Sequence, residues 1–302
     1  MEAASHPVLG LLLPRLGKLR RRCRKRHGRA FGLTYVKNET PPAVLLVRGM
    51  KNQSYQDDVD IAAASLERML SSFVALSPAD VDRVRGWFHG PALVHPPGGS
   101  VSLHPERQDA RVVARGWIAR GAMLEDGRRQ IVGLSLPGDV ILAADAVDAD
   151  MAVWALTDAS TLDASLLWEA ISESGDVSPR LLEAWRQVRS AERLRLARHV
   201  IRLGRLSAYE RTAHLLLELY ERQSRLGAAE PGVLHLPLTQ DMLADILGLS
   251  AVHINRTLQQ LRRAGLVDYR TGRAILPDLQ GLALAAGLSV ADDLADAPPS
   301  RD

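Results

Sequence analysis

The chain has 302 residues, which is enough for two modest domains with their own cores. Apolar residues make up 46 % and charged residues 24 %, the ordinary composition of a soluble globular protein, and the single cysteine, Cys23, excludes disulfide frameworks and multi-cysteine zinc or iron–sulfur sites. The net charge is only +3, and residues 1–30 hold nine Lys or Arg against one acid, whereas the remainder holds 29 bases against 34 acids. Overall basicity therefore does not indicate nucleic-acid binding, and function must be inferred from local patterns.

The N-terminal segment, residues 1–60, shows no sustained hydrophobic period and contains a basic run at 20–26. Such charge blocks are typical of disorder, so we interpret the segment as a disordered tail or as sequence upstream of the true start codon, with Met50 and Met69 as alternative starts. A nucleic-acid or membrane-surface arm is the alternative interpretation. The apolar run Val8–Leu13 is too short to span a bilayer, and its basic residues follow it, so the sequence predicts no membrane anchor, no export and a cytoplasmic location.

Residues 61–177 have the pattern of a helical lead-in followed by a β-barrel. A helical period begins near Ile61, and Ser77-Pro78 predicts the start of a second helix. From Pro91 onward short apolar runs alternate with turns, among them an Asp126-Gly127 hairpin turn. Short strands without intervening helices predict an antiparallel barrel or jelly roll.

Residues 178–204 are predicted to form one long helix that begins at Ser178-Pro179. Its apolar residues recur every three or four positions, a stripe long enough to join two chains. The stripe consists of Leu181, Trp185, Val188, Ala191, Leu194, Ala197 and Ile201. We predict a homodimer along this seam; the alternative is a helix packed on its own barrel.

Residues 205–288 have the pattern of a winged helix-turn-helix, and residues 289–302 are left as a tail. A capping box, Ser207–Glu210, opens the domain. Thr239 is the predicted N-cap of one helix, Gly248 the turn, and Ser250 the N-cap of the next helix, which ends near Gly265. A hairpin over 266–276 follows as the wing. Helix, short turn, helix and wing in this order are far more specific than any single motif.

The second helix of this motif is the predicted DNA reader, because the major groove admits one α-helix whose first turns reach the base edges. Arg256 can bond bidentately to guanine, Asn255 can pair with adenine or a phosphate, and Val252 can contact a thymine methyl group. Contacts that position the protein on phosphates are predicted for Thr239, Gln240, His253 and the two wing arginines. The full predicted set is Thr239, Gln240, Ser250, Ala251, Val252, His253, Asn255, Arg256, Arg270 and Arg273. The alternatives are a surface salt bridge for Arg256 and a solvated helix face for Asn255 and His253.

The stretch Leu238–Ser250, followed by Val252–Leu258, closely resembles the DNA-binding module of the Crp/Fnr family. Leu124–Ile131 and Leu136–Asp139 resemble that family's cyclic-nucleotide-binding-type barrel, so that the resemblance spans about residues 66–285. It implies an α+β fold: an antiparallel β jelly-roll sensor domain, a long dimerisation helix, an interdomain hinge at 204–207 and a C-terminal winged helix-turn-helix. The implied function is that of a dimeric transcriptional regulator that binds an inverted repeat in double-stranded DNA, with RNA polymerase as a further candidate partner.

Two departures from the family pattern bear on the effector and the operator. Cyclic-nucleotide binders of the family place a glutamate and an arginine after the Pro-Gly-Asp turn, whereas residues 140–155 hold three aspartates and no Arg or Lys. A cyclic phosphate would meet repulsion there, so we expect neither cyclic-nucleotide nor iron–sulfur dependence and leave the effector unidentified. A nucleotide-responsive regulator and one without any effector remain alternatives. Ala251 and Val252 replace a family arginine and glutamate, which predicts a different half-site.

A metal-dependent cupin enzyme is the rival from another class, since it shares the jelly-roll barrel. Cupins need clustered histidines, typically His-x-His with a nearby glutamate, and the segment offers only His95, His104 and Glu106. Ser100 and Ser102 lack the Gly-x-Ser-x-Gly context of a hydrolase nucleophile. We therefore predict no catalytic residue, no metal and no cofactor.

Overall fold

A computed structural model describes residues 52–88, 90–104, 109–143, 151–172, 177–227, 230–270 and 272–288. Outside these ranges lie the basic run at 20–26, Glu106 and residues 289–302. Neither interpretation of the basic run is therefore tested by the structure. Two helices lead into the barrel: α1, Asn52–Ser71, and α2, Pro78–Gly86. Helix α1 begins at Asn52 rather than near Ile61, so the last residues of the predicted disordered segment are helical. None of the helices in the described ranges is long and apolar enough to cross a membrane.

The predicted cap of α2 is present as a reciprocal pair of hydrogen bonds. The Ser77 hydroxyl accepts from the Asp80 backbone N–H at 3.2 Å, and the Asp80 carboxylate accepts from the Ser77 N–H at 3.2 Å. Each bond satisfies an N–H that the start of a helix leaves without a partner. Helix α1 buries Ala62, Leu66 and Leu70 against the barrel.

Within the described ranges, seven strands form the barrel as two antiparallel sheets. They are β1, Leu93–His95; β2, Ala110–Arg115; β3, Ile118–Met123; β4, Arg129–Ser135; β5, Val140–Leu142; β6, Met151–Ala155; and β7, Ala159–Asp163. The sheets have the orders β1-β7-β2-β5 and β4-β3-β6. Val113, Ile118 and Val153 lie among the buried residues of the barrel core. The prediction of an antiparallel barrel or jelly roll is confirmed.

The predicted hairpin turn joins β3 and β4. Met123 pairs with Arg129 at the end of the ladder next to the turn, and Gly127 takes a φ of +83°. L-residues with a side chain rarely adopt such a φ, which explains why the turn carries Asp-Gly.

A short helix, α3, Ser165–Ser172, leads to the long helix α4, Pro179–Arg205. The predicted start is confirmed, because the Ser178 hydroxyl accepts from the Leu181 backbone N–H at 3.2 Å. Gly204 does not break the helix, which continues to Arg205 before the chain turns at Leu206.

The predicted seam on α4 divides into two parts. Leu181, Trp185 and Val188 are buried in the core that α1 and the barrel share, so these three are core residues of their own chain and not available to a partner. Farther along, Leu194 and Ala197 are exposed, as is Ile201, which is 57 % exposed, and Ala191 is half-buried. Apolar spacing alone did not separate the part that covers the barrel from the part that faces outward.

The C-terminal region folds as a winged helix, as predicted. Its elements are α5, Ala208–Arg225; β8, Val233–Leu236; α6, Gln240–Leu247; α7, Ala251–Arg263; β9, Asp268–Arg270; β10, Gly272–Ile275; and α8, Leu279–Ala285. The wing is a three-stranded antiparallel sheet in the order β8-β10-β9, in which β8 is an addition to the predicted hairpin. The capping box of α5 is confirmed, with the Ser207 N–H donating to Glu210 at 2.7 Å.

The barrel and the winged helix are in contact through β4. Gln130 donates from Nε2 to the Ile246 carbonyl at 3.1 Å, and Arg129 pairs with Asp245 at 2.8 Å. Ile131 shares one buried cluster with the core of the winged helix. The two regions therefore form a packed junction beyond the connection at 204–207.

Candidate nucleic-acid interface

The turn between α6 and α7 is fixed by three local features. The Thr239 hydroxyl accepts from the Met242 N–H at 3.2 Å and caps α6. Gly248 ends α6 with a φ of +61°, the left-handed conformation common at helix C-termini. The Ser250 hydroxyl then accepts from the His253 N–H at 3.3 Å and caps α7. These are the three positions that the sequence assigned to the caps and the turn.

Helix α7 has one apolar face and one polar face. Ile254, Leu258 and Leu261 are buried in the core of the winged helix. The opposite face exposes a continuous group of side chains, and Val252 is 71 % exposed. That group comprises Val252, His253, Asn255, Arg256 and Gln259. The residues predicted to read bases thus share one accessible face, while Ala251 is half-buried beside them.

Three side-chain amides form a chain across the two helices of the motif. Asn255 donates from Nδ2 to Gln240 Oε1 at 3.2 Å, and Gln259 donates from Nε2 to Asn255 Oδ1 at 3.0 Å. Gln240 lies at the first position of α6, whereas Asn255 and Gln259 lie one turn apart on α7. Sequence reasoning placed Gln240 among the phosphate contacts and did not include Gln259.

The cap of α7 also orients His253. Its Nδ1 lies 2.9 Å from Ser250 Oγ, which already accepts from the backbone of His253. With Nδ1 engaged by Ser250, the remaining ring nitrogen of this exposed side chain is Nε2, which can donate to a phosphate oxygen when it carries a proton.

The wing adds two exposed arginines beside α7. Arg270 and Arg273 are cross-strand partners on β9 and β10. Asp268 contacts Arg262 and Arg270, each at 3.4 Å, with both arginines largely exposed. The Tyr269 hydroxyl donates to the Leu238 carbonyl at 2.6 Å and ties the wing to the start of the motif, and burial raises the pKa of Tyr269. Basic side chains on one face are the electrostatic signature expected for a DNA-binding surface.

A second cluster of charges is buried where α4, α5 and β4 meet. Arg202 is 1 % exposed and contacts Glu218 Oε2 at 2.5 Å, His214 Nδ1 at 2.9 Å and His199 Nδ1 at 3.4 Å. Burial, and after it the charge of Arg202, lowers the pKa of His214 to about 4 and also lowers that of His199. Both imidazoles are thus neutral acceptors at neutral pH. Sequence reasoning missed this cluster.

Two further contacts connect α5 with the barrel. Arg222 pairs with Asp139 at 2.5 Å and donates to the Leu134 carbonyl at 3.2 Å. Asp139 also accepts from the Leu136 N–H at 2.7 Å, so the acidic residue of the Pro-Gly-Asp turn has a structural role here. Burial, and after it the charge of Arg222, lowers the pKa of the neighbouring Arg195.

A small cavity lies between the barrel and α4. Its volume is about 70 Å³, and charged side chains line much of it. These are Arg120, Glu192, Arg195, Arg202, Glu218 and Arg222, and the neutral His199 lies among them.

Of the residues weighed for a metal enzyme, His95 and His104 lie in the described ranges and Glu106 does not. His95 is buried, with Nε2 3.0 Å from Thr161 Oγ1, and burial lowers its pKa. No group of three or more metal-ligating side chains occurs within the described ranges. His95 is a core histidine with a hydrogen-bond partner.

Comparison with protein families gives a match over residues 210–285 to the Crp-like helix-turn-helix domain. The nitrogen fixation regulation protein FixK of Rhizobium meliloti is 30 % identical over 197 residues, which cover 62 % of this chain and 83 % of that protein. FixK of Bradyrhizobium diazoefficiens is 34 % identical over 175 residues, 55 % of this chain and 69 % of the relative. The transcriptional activator protein FnrL of Cereibacter sphaeroides is 33 % identical, and the match spans 62 % of its length.

The solved structure of FixK2 from Bradyrhizobium japonicum has the same fold. It superposes with a TM-score of 0.53 at 24 % identity and covers 66 % of this chain and 98 % of FixK2. The fold and the exposed face of α7 define a β-barrel protein with a C-terminal winged helix-turn-helix of the DNA-binding class. The chain belongs to the Crp/Fnr family of transcriptional regulators, as the sequence resemblance implied.

Proposed function

We propose that this chain is a dimeric, sequence-specific DNA-binding regulator that inserts α7 into the major groove. The observation that carries the proposal is the division of α7: its apolar face is buried in the winged helix, and its first two turns expose the predicted base-reading side chains. The names of its relatives, a transcriptional activator and nitrogen fixation regulation proteins, agree with this role. The barrel, the long helix and the winged helix are taken as the domains 61–177, 178–204 and 205–288.

The exposed side chains are assigned by their chemistry. Arg256 bonds to guanine, Asn255 to adenine, and Val252 contacts a thymine methyl group. Contacts to phosphates fix the position of the protein without reading sequence. They are assigned to Thr239, Ser250, Ala251, His253, Arg270 and Arg273, through side chains or through the backbone at the start of α7.

Dimerisation is assigned to the exposed part of α4. Leu194, Ala197 and Ile201 recur at helical spacing on the outward side, and Val200, which is 62 % exposed, extends the stripe. Two copies that pair along this stripe present two copies of α7. Their target is an inverted repeat with half-sites about 34 Å apart, one turn of DNA.

We infer that the regulator does not depend on a cyclic nucleotide. The cavity between the barrel and α4, at about 70 Å³, is far below the roughly 300–1,000 Å³ of ordinary small-molecule pockets. The charged side chains around it also contact one another, as in the Arg202–Glu218 pair. Control by abundance or by a partner, with RNA polymerase among the candidates, fits such a filled junction, and we assign the chain no catalytic reaction.

The decisive experiment is selection of fragments of genomic DNA by the purified protein, followed by sequencing of the bound fragments. We expect an inverted repeat with half-sites one helical turn apart, and sedimentation should give a dimer that Ile201→Glu separates. Recovery of DNA without any common sequence would contradict the proposal. Addition of cyclic AMP should leave the recovered sequences unchanged.

A matched pair of variants tests the role of Arg256. Arg256→Ala should lose about 1–3 kcal/mol of discrimination at one base position of each half-site. Arg263→Ala removes the same charge from the far end of α7 and should weaken binding to all sequences alike. An equal loss on all sequences for Arg256→Ala would instead make Arg256 a phosphate contact. Both are measured by titration of the protein with operator variants.

A further inference from the structure

The amide chain between α6 and α7 bears on how the protein reads DNA, and the inference drawn from it rests on the proposed function. Gln240, Asn255 and Gln259 are joined by two hydrogen bonds of 3.2 Å and 3.0 Å. Asn255 is the middle member: its amide nitrogen donates to Gln240 and its carbonyl oxygen accepts from Gln259. An asparagine side chain that is bonded at both ends has a defined amide plane.

The remaining hydrogen-bonding capacity of Asn255 matches one base. A side-chain amide has two N–H donors and two acceptor lone pairs on its oxygen. After the two bonds within the chain, Asn255 keeps one N–H and one lone pair. Adenine presents one acceptor, N7, and one donor, the N6 amino group, in the major groove.

We propose that Gln240 is a positioning residue that fixes the amide of Asn255 for reading adenine, with Gln259 holding its other end. Without the partner on α6, Asn255 can rotate or exchange its nitrogen and oxygen, and the match to adenine is lost for part of the population. The rigid turn from Gly248 to Ser250 keeps the two helices in the register that this bond needs.

This role differs from that of a phosphate contact in what it changes. A contact to phosphate adds affinity on every sequence and contributes to the salt dependence of binding. A positioning residue changes the preference among bases at the position that Asn255 reads. Because all three side chains lie outside the buried core, their substitution should leave the fold intact.

The test compares variants of the full chain on the selected operator and on its three single-base variants at the position that Asn255→Ala relaxes. Gln240→Ala should reduce the preference for adenine at that position about two- to tenfold, the usual effect of one hydrogen bond. Gln240→Glu retains an Oε acceptor for Asn255 and should keep the preference, while its charge weakens binding to all four sequences alike. Gln260→Ala, an exposed amide on α7 outside the chain of three, is the control and should keep the preference.

The double variant Gln240→Ala with Asn255→Ala completes the test. It should be no less selective than Asn255→Ala alone, because Gln240 acts through Asn255. Equal weakening by Gln240→Ala on all four sequences, with the preference intact, would overturn the proposal and leave Gln240 as a phosphate contact. Wild-type protein that enriches no repeat in the genomic selection would overturn the proposed function itself, so the two failures are distinguishable.

Discussion

Arginines in two regions of this molecule stand in opposite environments. At the junction of barrel, α4 and α5, Arg202 is buried and bonded to a glutamate and two histidines. On the face of α7 and the wing, Arg256 and Arg273 are exposed. A buried charge destabilises the fold when it is left without partners. An exposed charge stays hydrated and has little effect on stability, even when no phosphate or base is bound to it. The same residue type thus stabilises the fold in one region and is available for recognition in the other.

The largest effect should follow removal of the buried partner. Glu218→Gln takes the carboxylate away from Arg202 and leaves a buried guanidinium without its counter-charge. Breaking a buried pair in this way costs about 3–5 kcal/mol, so the free energy of unfolding should fall by that order. Denaturation by urea, monitored by circular dichroism, measures the change.

A surface pair on α4, the helix that carries Arg202, provides the control. Arg186 and Glu183 lie 3.6 Å apart with both side chains largely exposed, and Glu183→Gln should change stability by less than about 1 kcal/mol. Similar small losses for the two glutamine variants would contradict the contrast between the junction and the surface.

The junction should also make stability depend on pH. The pKa of His214 is lowered to about 4 in the fold, against 6.5 for an ordinary histidine. Between these values the unfolded chain binds more protons than the native protein, so stability is complete above pH 6.5 and falls as the pH drops toward 4. This one group should remove about 2 kcal/mol between pH 7 and pH 5, and His199 acts in the same direction.

His214→Gln isolates this contribution, since its side-chain oxygen can still accept from Arg202. The variant should lose less stability than the wild type when urea denaturation at pH 7 is repeated at pH 5. An unchanged loss would assign the acid sensitivity to other groups.

The recognition surface was more predictable from sequence than the junction because its signals are local. Thr239, Gly248 and Ser250 each fix the backbone within a few residues, and the structure has all three in the predicted roles. The bond from Asn255 to Gln240 spans fifteen positions and follows from the angle between two helices. No local sequence pattern predicted this hydrogen bond.

The long helix shows why the junction was missed. The buried stripe of α4 continues from Leu181, Trp185 and Val188 to His199 and Arg202, which are buried polar residues. The sequence prediction followed the apolar residues instead, and at Leu194 and Ile201 these residues lie on the exposed side of the helix. Charged side chains are rarely buried, so a search for apolar periodicity passes over a position such as Arg202, whose partners His214 and Glu218 come from another helix, α5. Strand β8 was missed for a similar reason, since its partner β10 is distant in sequence.

The smallest effect should come from the wing. Arg273→Gln removes one exposed charge, so the folded protein should keep its stability and its preferred sequence. If Arg273 contacts a phosphate, affinity should decline about equally on all sequences, and the slope of log K against log salt should become shallower by about 1. Titrations with the selected operator and with unrelated DNA at several salt concentrations measure that slope. A loss confined to the selected operator would mean that the wing reads bases, and Arg273 would then share the base-reading role proposed for Arg256.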